Sequence, residues 1–372
     1  MHYLFNGTQL LAGVLGWPET KLEHAIRFQD HYEVHKKRKP RGGVRSIAVP
    51  YPIVKRFQRK FLQYFLYRIW QQGWLAPQIH GFLPGRSSVT NARLHARADA
   101  RYVVRLDLKD AFPSVTGVVV RKVLAQIVAT EVLTCRLLAA DVSKEGRRDY
   151  PRPPLFSTRK AKWFRKLLLP GPPPKWLRNV KHHQVLEEFL DTLIPLVTYR
   201  GALPQGAPTS PFLLDLVLSH YGVPQMAQQW FEEKGIAVRV SVYADDFTIS
   251  SATPIAVSDV EAFMAIVEEE GVFRFNRDKT LFFDRRQIAP LVTGLRLVHI
   301  GSRDGSKRLP GDSVSVPKKE IRKIRAIIHR AIFDENLRAR AKGYVDYLHG
   351  VYGPTLPPQV ARPWARLCSE TQ

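Results

Sequence analysis

Apolar and polar positions change period several times along the chain, and each change marks an element. Leu10, Leu11, Val14 and Leu15 recur at helical spacing before Trp17-Pro18 interrupts them, so residues 1–31 read as a short helical lead-in. Two extended runs follow, Tyr32-Glu33-Val34 and Val44-Arg45-Ser46-Ile47-Ala48-Val49-Pro50. Between them lies the basic turn Lys36-Lys37-Arg38-Lys39-Pro40-Arg41-Gly42-Gly43, whose glycines permit positive φ, and the whole predicts a hairpin. Val54, Phe57, Phe61, Tyr64, Phe65 and Ile69 keep i, i+3, i+4 spacing, which predicts one packed helix to Trp70 with its aromatic stripe in the core. From Val238 to Ser250, apolar and β-branched residues flank two adjacent acids, the pattern of strand, tight turn and strand. After Pro317, Ile321, Ile324, Ile327, Ile328 and Ile332 fall on one helical face, with Lys318, Lys319, Arg322, Lys323, Arg325 and Arg330 on the others. Residues 141–182 are rich in proline, arginine and aromatics and exclude one long helix or a central strand. They read as a surface insertion or as an arm that binds RNA or a partner.

The acids of the second hairpin are the first hint of chemistry. Asp245 and Asp246 at a tight tip repel each other unless a cation neutralises them. A second acid-tipped strand, Arg105-Leu106-Asp107-Leu108, carries an aromatic, Phe112, five residues past its aspartate. Nucleotidyl transfer assisted by two metals needs oxygen ligands from separate strands, converging on Mg²⁺ ions roughly 4 Å apart. Asp107 with Asp245 and Asp246 supplies such a set.

Composition agrees with that chemistry. Lys and Arg number 57 against 33 acids, a net charge of +24, which implies a polyanionic partner. A membrane surface is the competing partner, but no apolar run reaches the roughly 18–20 residues needed to span a bilayer. The first residues lack the basic and apolar segments of a secretory signal, and Cys135 and Cys368 are too few for a zinc site or disulfide framework. These features favour the cytoplasm. With 372 residues and a 45% apolar fraction, a globular chain of one large domain or two to three subdomains is expected.

From about Tyr32 to Leu297 the ordered motifs resemble the reverse transcriptase family. The two aspartate motifs are joined by Gly201-Ala202-Leu203-Pro204-Gln205-Gly206-Ala207-Pro208-Thr209-Ser210-Pro211, similar to the family's dNTP-pocket motif, and by Asn276-Arg277-Asp278-Lys279-Thr280, similar to its lysine motif. Asn91-Ala92-Arg93-Leu94-His95 and Val292-Thr293-Gly294 resemble the signatures of retron reverse transcriptases. The resemblance implies an α+β right-hand polymerase. Its fingers and the start of the palm would occupy 32–106, its palm 107–300 with the insertion at 141–182, and its helical thumb 301–372. It implies two Mg²⁺ ions held by Asp107, Asp245, Asp246 and the backbone carbonyl of Leu108, with Lys279 as general acid near the leaving pyrophosphate. Arg45, Phe112, Gln205 and Gly206 would bind the nucleotide, Phe112 as a steric gate against the ribose 2′-hydroxyl. Asn91 and His95 would shape the RNA-binding surface, though a histidine satisfied within the fold explains His95 equally. Lys318, Lys319, Arg322 and Lys323 would grip duplex from the thumb.

The implied partners are dNTPs, a structured noncoding RNA serving as template and primer, its DNA product, and a toxin or effector protein, with an anti-phage role. Two other readings stay open. A group II intron-like or other bacterial defence reverse transcriptase shares the Tyr-Ala-Asp-Asp hairpin; fewer than 80 residues follow Val-Thr-Gly, which counts against an intron enzyme. A non-polymerising RNA-binding scaffold is the third, and the intact aspartates argue against it.

Overall fold

The computed structural model describes residues 7–38, 43–127, 180–298 and 314–370. Residues 39–42 of the basic turn, Cys135 and nearly all of the stretch 141–182 lie outside the described residues, as do the side chains of Leu10 and Val14. Helices mix with antiparallel sheets of two, four and three strands, an α+β arrangement. The chain divides into two compact units.

The first unit comprises Met1–Ile79, Lys109–Met226 and Val267–Arg274. Pro18 separates helices Gly7–Leu15 and Glu19–Arg27, as expected of a residue that cannot continue a helix. Strands β1 (Tyr32–Arg38) and β2 (Val44–Pro50) form the hairpin that the alternation predicts, in register from Tyr32↔Pro50 to Arg38↔Val44. Only its base is buried, at Ala48 and Pro50, while the basic far half is exposed on both strands.

The helix expected over 54–70 is instead a run in three parts. An α-helix Pro52–Phe61 passes into a π-helical turn Leu62–Leu66 and then a helix Tyr67–Gln71. A π turn takes up an extra residue and rotates everything after it. Burial therefore runs Val54, Phe57, Phe61, Leu66, Ile69, and Tyr64 is turned out to 48% exposure beneath the Lys60 ammonium, 5.3 Å from its ring centroid. Buried Gln58 donates to the Leu196 carbonyl at 2.8 Å, tying this run to the helix Val180–Val197.

The second unit comprises His80–Leu108, Ala227–Ile266 and Phe275–Gln372. Strands β3 (Tyr102–Asp107), β4 (Val238–Tyr243), β5 (Asp246–Ser251) and β6 (Leu281–Asp284) form one sheet in the order β4-β5-β3-β6. Alternation along β5 sends Phe247 to one face, where it meets Phe275 at 5.7 Å between ring centroids, and Ser250 to the other. That second face is covered by the helix Ser88–His95, whose Ala92 joins Val103 of β3 in an apolar cluster. The cluster continues into a three-stranded sheet of β7 (Leu291–Val292), β8 (Leu295–Leu297) and β9 (Val314–Ser315), and into helices Lys318–Ala331, Arg338–Tyr352 and Pro358–Ser369. Ile321, Ile324, Ile328 and Ile332 are buried there, the face that the isoleucine spacing predicts. No described helix is long and apolar enough to cross a membrane.

Candidate active site

The two acid-tipped strands are neighbours in the sheet. Asp107, the last residue of β3, is the register partner of Asp246, the first of β5, so their side chains leave the same face of the sheet. Tyr243 pairs with Asp246, which leaves Ala244-Asp245 as a two-residue turn. Ala244 sits at φ +57°, a left-handed position that a Cβ disfavours, so the surroundings must hold it there. They do so through backbone. Leu108 N donates to Asp245 O at 2.9 Å, His80 N to Val242 O at 2.7 Å, and Asn276 N to Asp107 O at 2.8 Å. Gly81 lies so close that a Cβ built on it would be 2.9 Å from Ala244 N. A glycine inside Gly-Phe-Leu-Pro-Gly reads only as turn chemistry in the sequence, and its need for close approach becomes visible once the strands are paired.

Charge is balanced locally. Lys279 Nζ lies 2.6 Å from Asp107 Oδ2, and Arg105 Nη2 lies 3.2 Å from Asp246 Oδ1. Lys279 follows from its motif; Arg105 was missed, although its position two residues before Asp107 puts it on the same strand face. Burial pushes the Asp246 carboxyl above its usual range against the lowering effect of Arg105, and the nearby Asp107 charge raises it further. As the structure stands, no group of three or more His, Cys, Asp or Glu among the described residues is placed to hold a metal ion. The donor chemistry still fits a hard divalent cation: paired carboxylates with a third beside them, and a half-buried anion that its arginine only partly compensates.

On this same face, further along the strands from the acids, the helix Ser88–His95 acts as a strut. His95 is wholly buried, with Nδ1 2.8 Å from Ser250 Oγ and Nε2 2.7 Å from Ser241 Oγ, so one imidazole bridges β5 and β4. Burial first, then the charges of His80, Arg239 and Arg285, pushes its pKa down to about 3. Asn91 is equally buried, and neither amide atom has a hydrogen-bond partner among the described residues. Neither residue offers its side chain to RNA. Both are wholly buried, so any part they play in the RNA-binding surface runs through the helix that carries them.

The Val-Thr-Gly segment is the turn of the β7–β8 hairpin. Thr293 and Gly294 have φ +46° and +84°, the paired positive φ of a type I′ turn, and Thr293 Oγ1 donates to Ser88 O at 2.8 Å. At the other end of the strut, buried Arg285 donates to the carbonyls of His95, Ala96, Arg97, Ala100 and Val298. Nothing in Asp284-Arg285-Arg286 distinguishes it in the sequence.

The four expected nucleotide-binding residues fall in the first unit. Ala48 N donates to Gln205 O at 2.7 Å, which docks the Gln205–Gly206 loop on β2, the strand that carries exposed Arg45. Gly206 has φ +114°, and a Cβ there would lie 2.7 Å from Ile47 Cγ2. Phe112, in the short helix Ala111–Ser114, is half-buried rather than core, and Leu203 N donates to Val115 O at 3.0 Å just beyond it. Lys318, Lys319, Arg322 and Lys323 are all exposed along the helix Lys318–Ala331.

No protein-family model matches the chain. The Retron Mx65 reverse transcriptase of Myxococcus xanthus is 28% identical over 351 residues, covering 90% of this chain and 66% of the relative. The Retron Mx162 reverse transcriptase of the same organism is 30% identical over 341 residues, covering 87% and 58%. The chain is similar to retron reverse transcriptases. It spans about two thirds or less of the length of these two relatives. Among solved structures, telomerase from Candida albicans with a fragment of telomeric RNA aligns over 92% of this chain and 55% of that one, at a TM-score of 0.43 and 12% identity.

Proposed function

We propose that this protein is an RNA-directed DNA polymerase of retron type, copying part of a cognate structured noncoding RNA into single-stranded DNA. The observation that carries the reading is the register pairing of Asp107 with Asp246 on one sheet face, beside Lys279, in a chain similar over most of its length to retron reverse transcriptases. Fingers, palm and thumb would follow the boundaries given by the motifs, in a cytoplasmic protein serving anti-phage defence with a toxin or effector partner.

Asp107, Asp245, Asp246 and the Leu108 carbonyl would hold two Mg²⁺ ions. Bound there, magnesium supplies activation of the primer hydroxyl and neutralisation of the departing pyrophosphate. The chain's own residues do the rest. Lys279, now on Asp107, is exchanged onto pyrophosphate and gives it a proton. Arg45 engages the triphosphate, the Gln205–Gly206 loop gives the nucleotide a close backbone wall, and Phe112 excludes the ribose 2′-hydroxyl. Asn91 and His95 serve the hairpin from further along the same sheet face, and the basic helix Lys318–Ala331 holds duplex.

Expression together with the noncoding sequence that flanks the gene tests the reading. A retron-type enzyme yields one short DNA with a defined end joined to RNA. Efficient copying of unrelated primed templates with no such product would leave a broader reverse transcriptase and overturn the retron type.

A further inference from the structure

A cavity of about 720 Å³ opens between the Thr293-Gly294 turn and the helices Lys318–Ala331 and Arg338–Tyr352. That size lies within the range of small-ligand sites. Gly294, Lys319, Glu320, Arg340, Tyr344 and Tyr347 line it, and Gly343 completes one wall. Arg340, Gly343, Tyr344 and Tyr347 stand at i, i+3, i+4 and i+7, one face of their helix, beside the row Ala341, Val345, Leu348 and Val351 that is buried in the apolar cluster against which both tyrosines pack.

Gly343 is the unexpected member. Glycine inside a helix costs about 1 kcal/mol relative to alanine, and a Cβ built on Gly343 meets nothing within 4 Å. The protein's own packing therefore does not require it. What the missing side chain does is keep the cavity wall open beside two tyrosines. The Arg340 guanidinium carbon lies over the Tyr344 ring, 5.8 Å from its centroid, a cation against the aromatic face. Lys319 is exposed and makes no ion pair among the described residues; Glu320 is half-buried, 3.1 Å from Lys323. Burial pushes the Tyr347 hydroxyl above its usual pKa, so it remains a hydrogen-bond donor.

We infer that this cavity takes one unstacked nucleotide of a bound RNA. The base lies against Tyr344 and Tyr347 with Glu320 accepting from a base N–H, and its phosphate sits between Lys319 and Arg340. Single-stranded loops of structured RNA present such splayed bases, and aromatic rings with nearby cations receive them. The inference rests on the proposed reading that the protein binds a structured RNA.

The test uses the full chain and two RNA probes of equal phosphate number, a hairpin with an unpaired loop and a blunt duplex. Gly343→Leu fills the cavity, and Gly343→Ala, which suits a helix better, reports on folding through its thermal midpoint. Wild type should prefer the hairpin, and Gly343→Leu should weaken hairpin binding about tenfold, the scale of one stacked base, and erase the preference. A 4-thiouridine in the loop should cross-link to the peptide bearing Tyr344 and Tyr347 in wild type but not in Gly343→Leu. A folded Gly343→Leu that keeps the full preference, or loses affinity equally for both probes, overturns the inference. Should Gly343→Leu not fold, Tyr344→Leu carries the same comparison. Primer extension by wild type is measured separately: failure there sinks the polymerase reading, while the loop preference still decides the cavity.

Discussion

Replacing His95 by leucine should loosen the strands of the candidate catalytic hairpin away from its tip, without touching an acid. The imidazole has no solvent exposure and holds Ser250 at 2.8 Å and Ser241 at 2.7 Å. Leucine roughly fills the space but orphans two buried hydroxyls. At about 1–3 kcal/mol for each buried polar group left unsatisfied, the loss should be about 2–6 kcal/mol. The histidine also sets an acid limb. Its pKa is about 3 in the folded protein against an ordinary 6.5, so the unfolded chain takes up a proton that the folded one refuses. Its stabilising contribution is therefore complete above pH 6.5 and falls as pH drops towards 3, by about 1.4 kcal/mol per pH unit. Urea unfolding of wild type and His95→Leu between pH 4 and pH 8 measures both effects. The variant should be less stable at pH 8 and shallower in its acid dependence, with the remaining slope due partly to His80, whose pKa burial lowers to about 4. Parallel curves, or equal stability at pH 8, would refute the strut.

Three further outcomes follow from single contacts. Gly81→Ala should lower the denaturant midpoint and cut primer-extension rate about 10–100-fold, because its Cβ would stand 2.9 Å from the backbone Ala244 N and displace the tip; an unaffected rate argues against that approach. Arg285→Met should cost about 3–5 kcal/mol by removing a donor from five carbonyls, of which Arg97 O keeps Ala100 N, read from denaturant midpoints, and a loss under 1 kcal/mol contradicts the assignment. Phe112→Ala should raise ribonucleotide use relative to deoxynucleotide use about tenfold or more, and unchanged selectivity in a folded variant returns the ring to a packing role.

Both hairpins were legible in the sequence because period-2 alternation and turn residues are local signals, and the isoleucine face of the helix Lys318–Ala331 was legible for the same kind of reason. The helix over 54–70 was only half legible. Its apolar spacing survives to Phe61, but a π turn is a backbone insertion without a residue signature, so Tyr64 ended outside and Leu66 inside. In the candidate site the acids and Lys279 came from motifs, while Arg105, Gly81 and Arg285 act through strand register, backbone approach and distant carbonyls, which appear only when the chain is folded. His95 shows the opposite lesson: a signature residue that the family resemblance links to RNA is occupied on both ring nitrogens by the protein itself.

The most direct test of the central claim is single-turnover extension of a primed RNA template with Mg²⁺ by wild type and Asp107→Asn. Asparagine keeps the shape of the β3 end but removes the charge that pairs in register with Asp246 and faces Lys279. The account predicts extension by wild type and none by Asp107→Asn, with RNA binding and thermal midpoint retained. Extension by Asp107→Asn at the wild-type rate would contradict it.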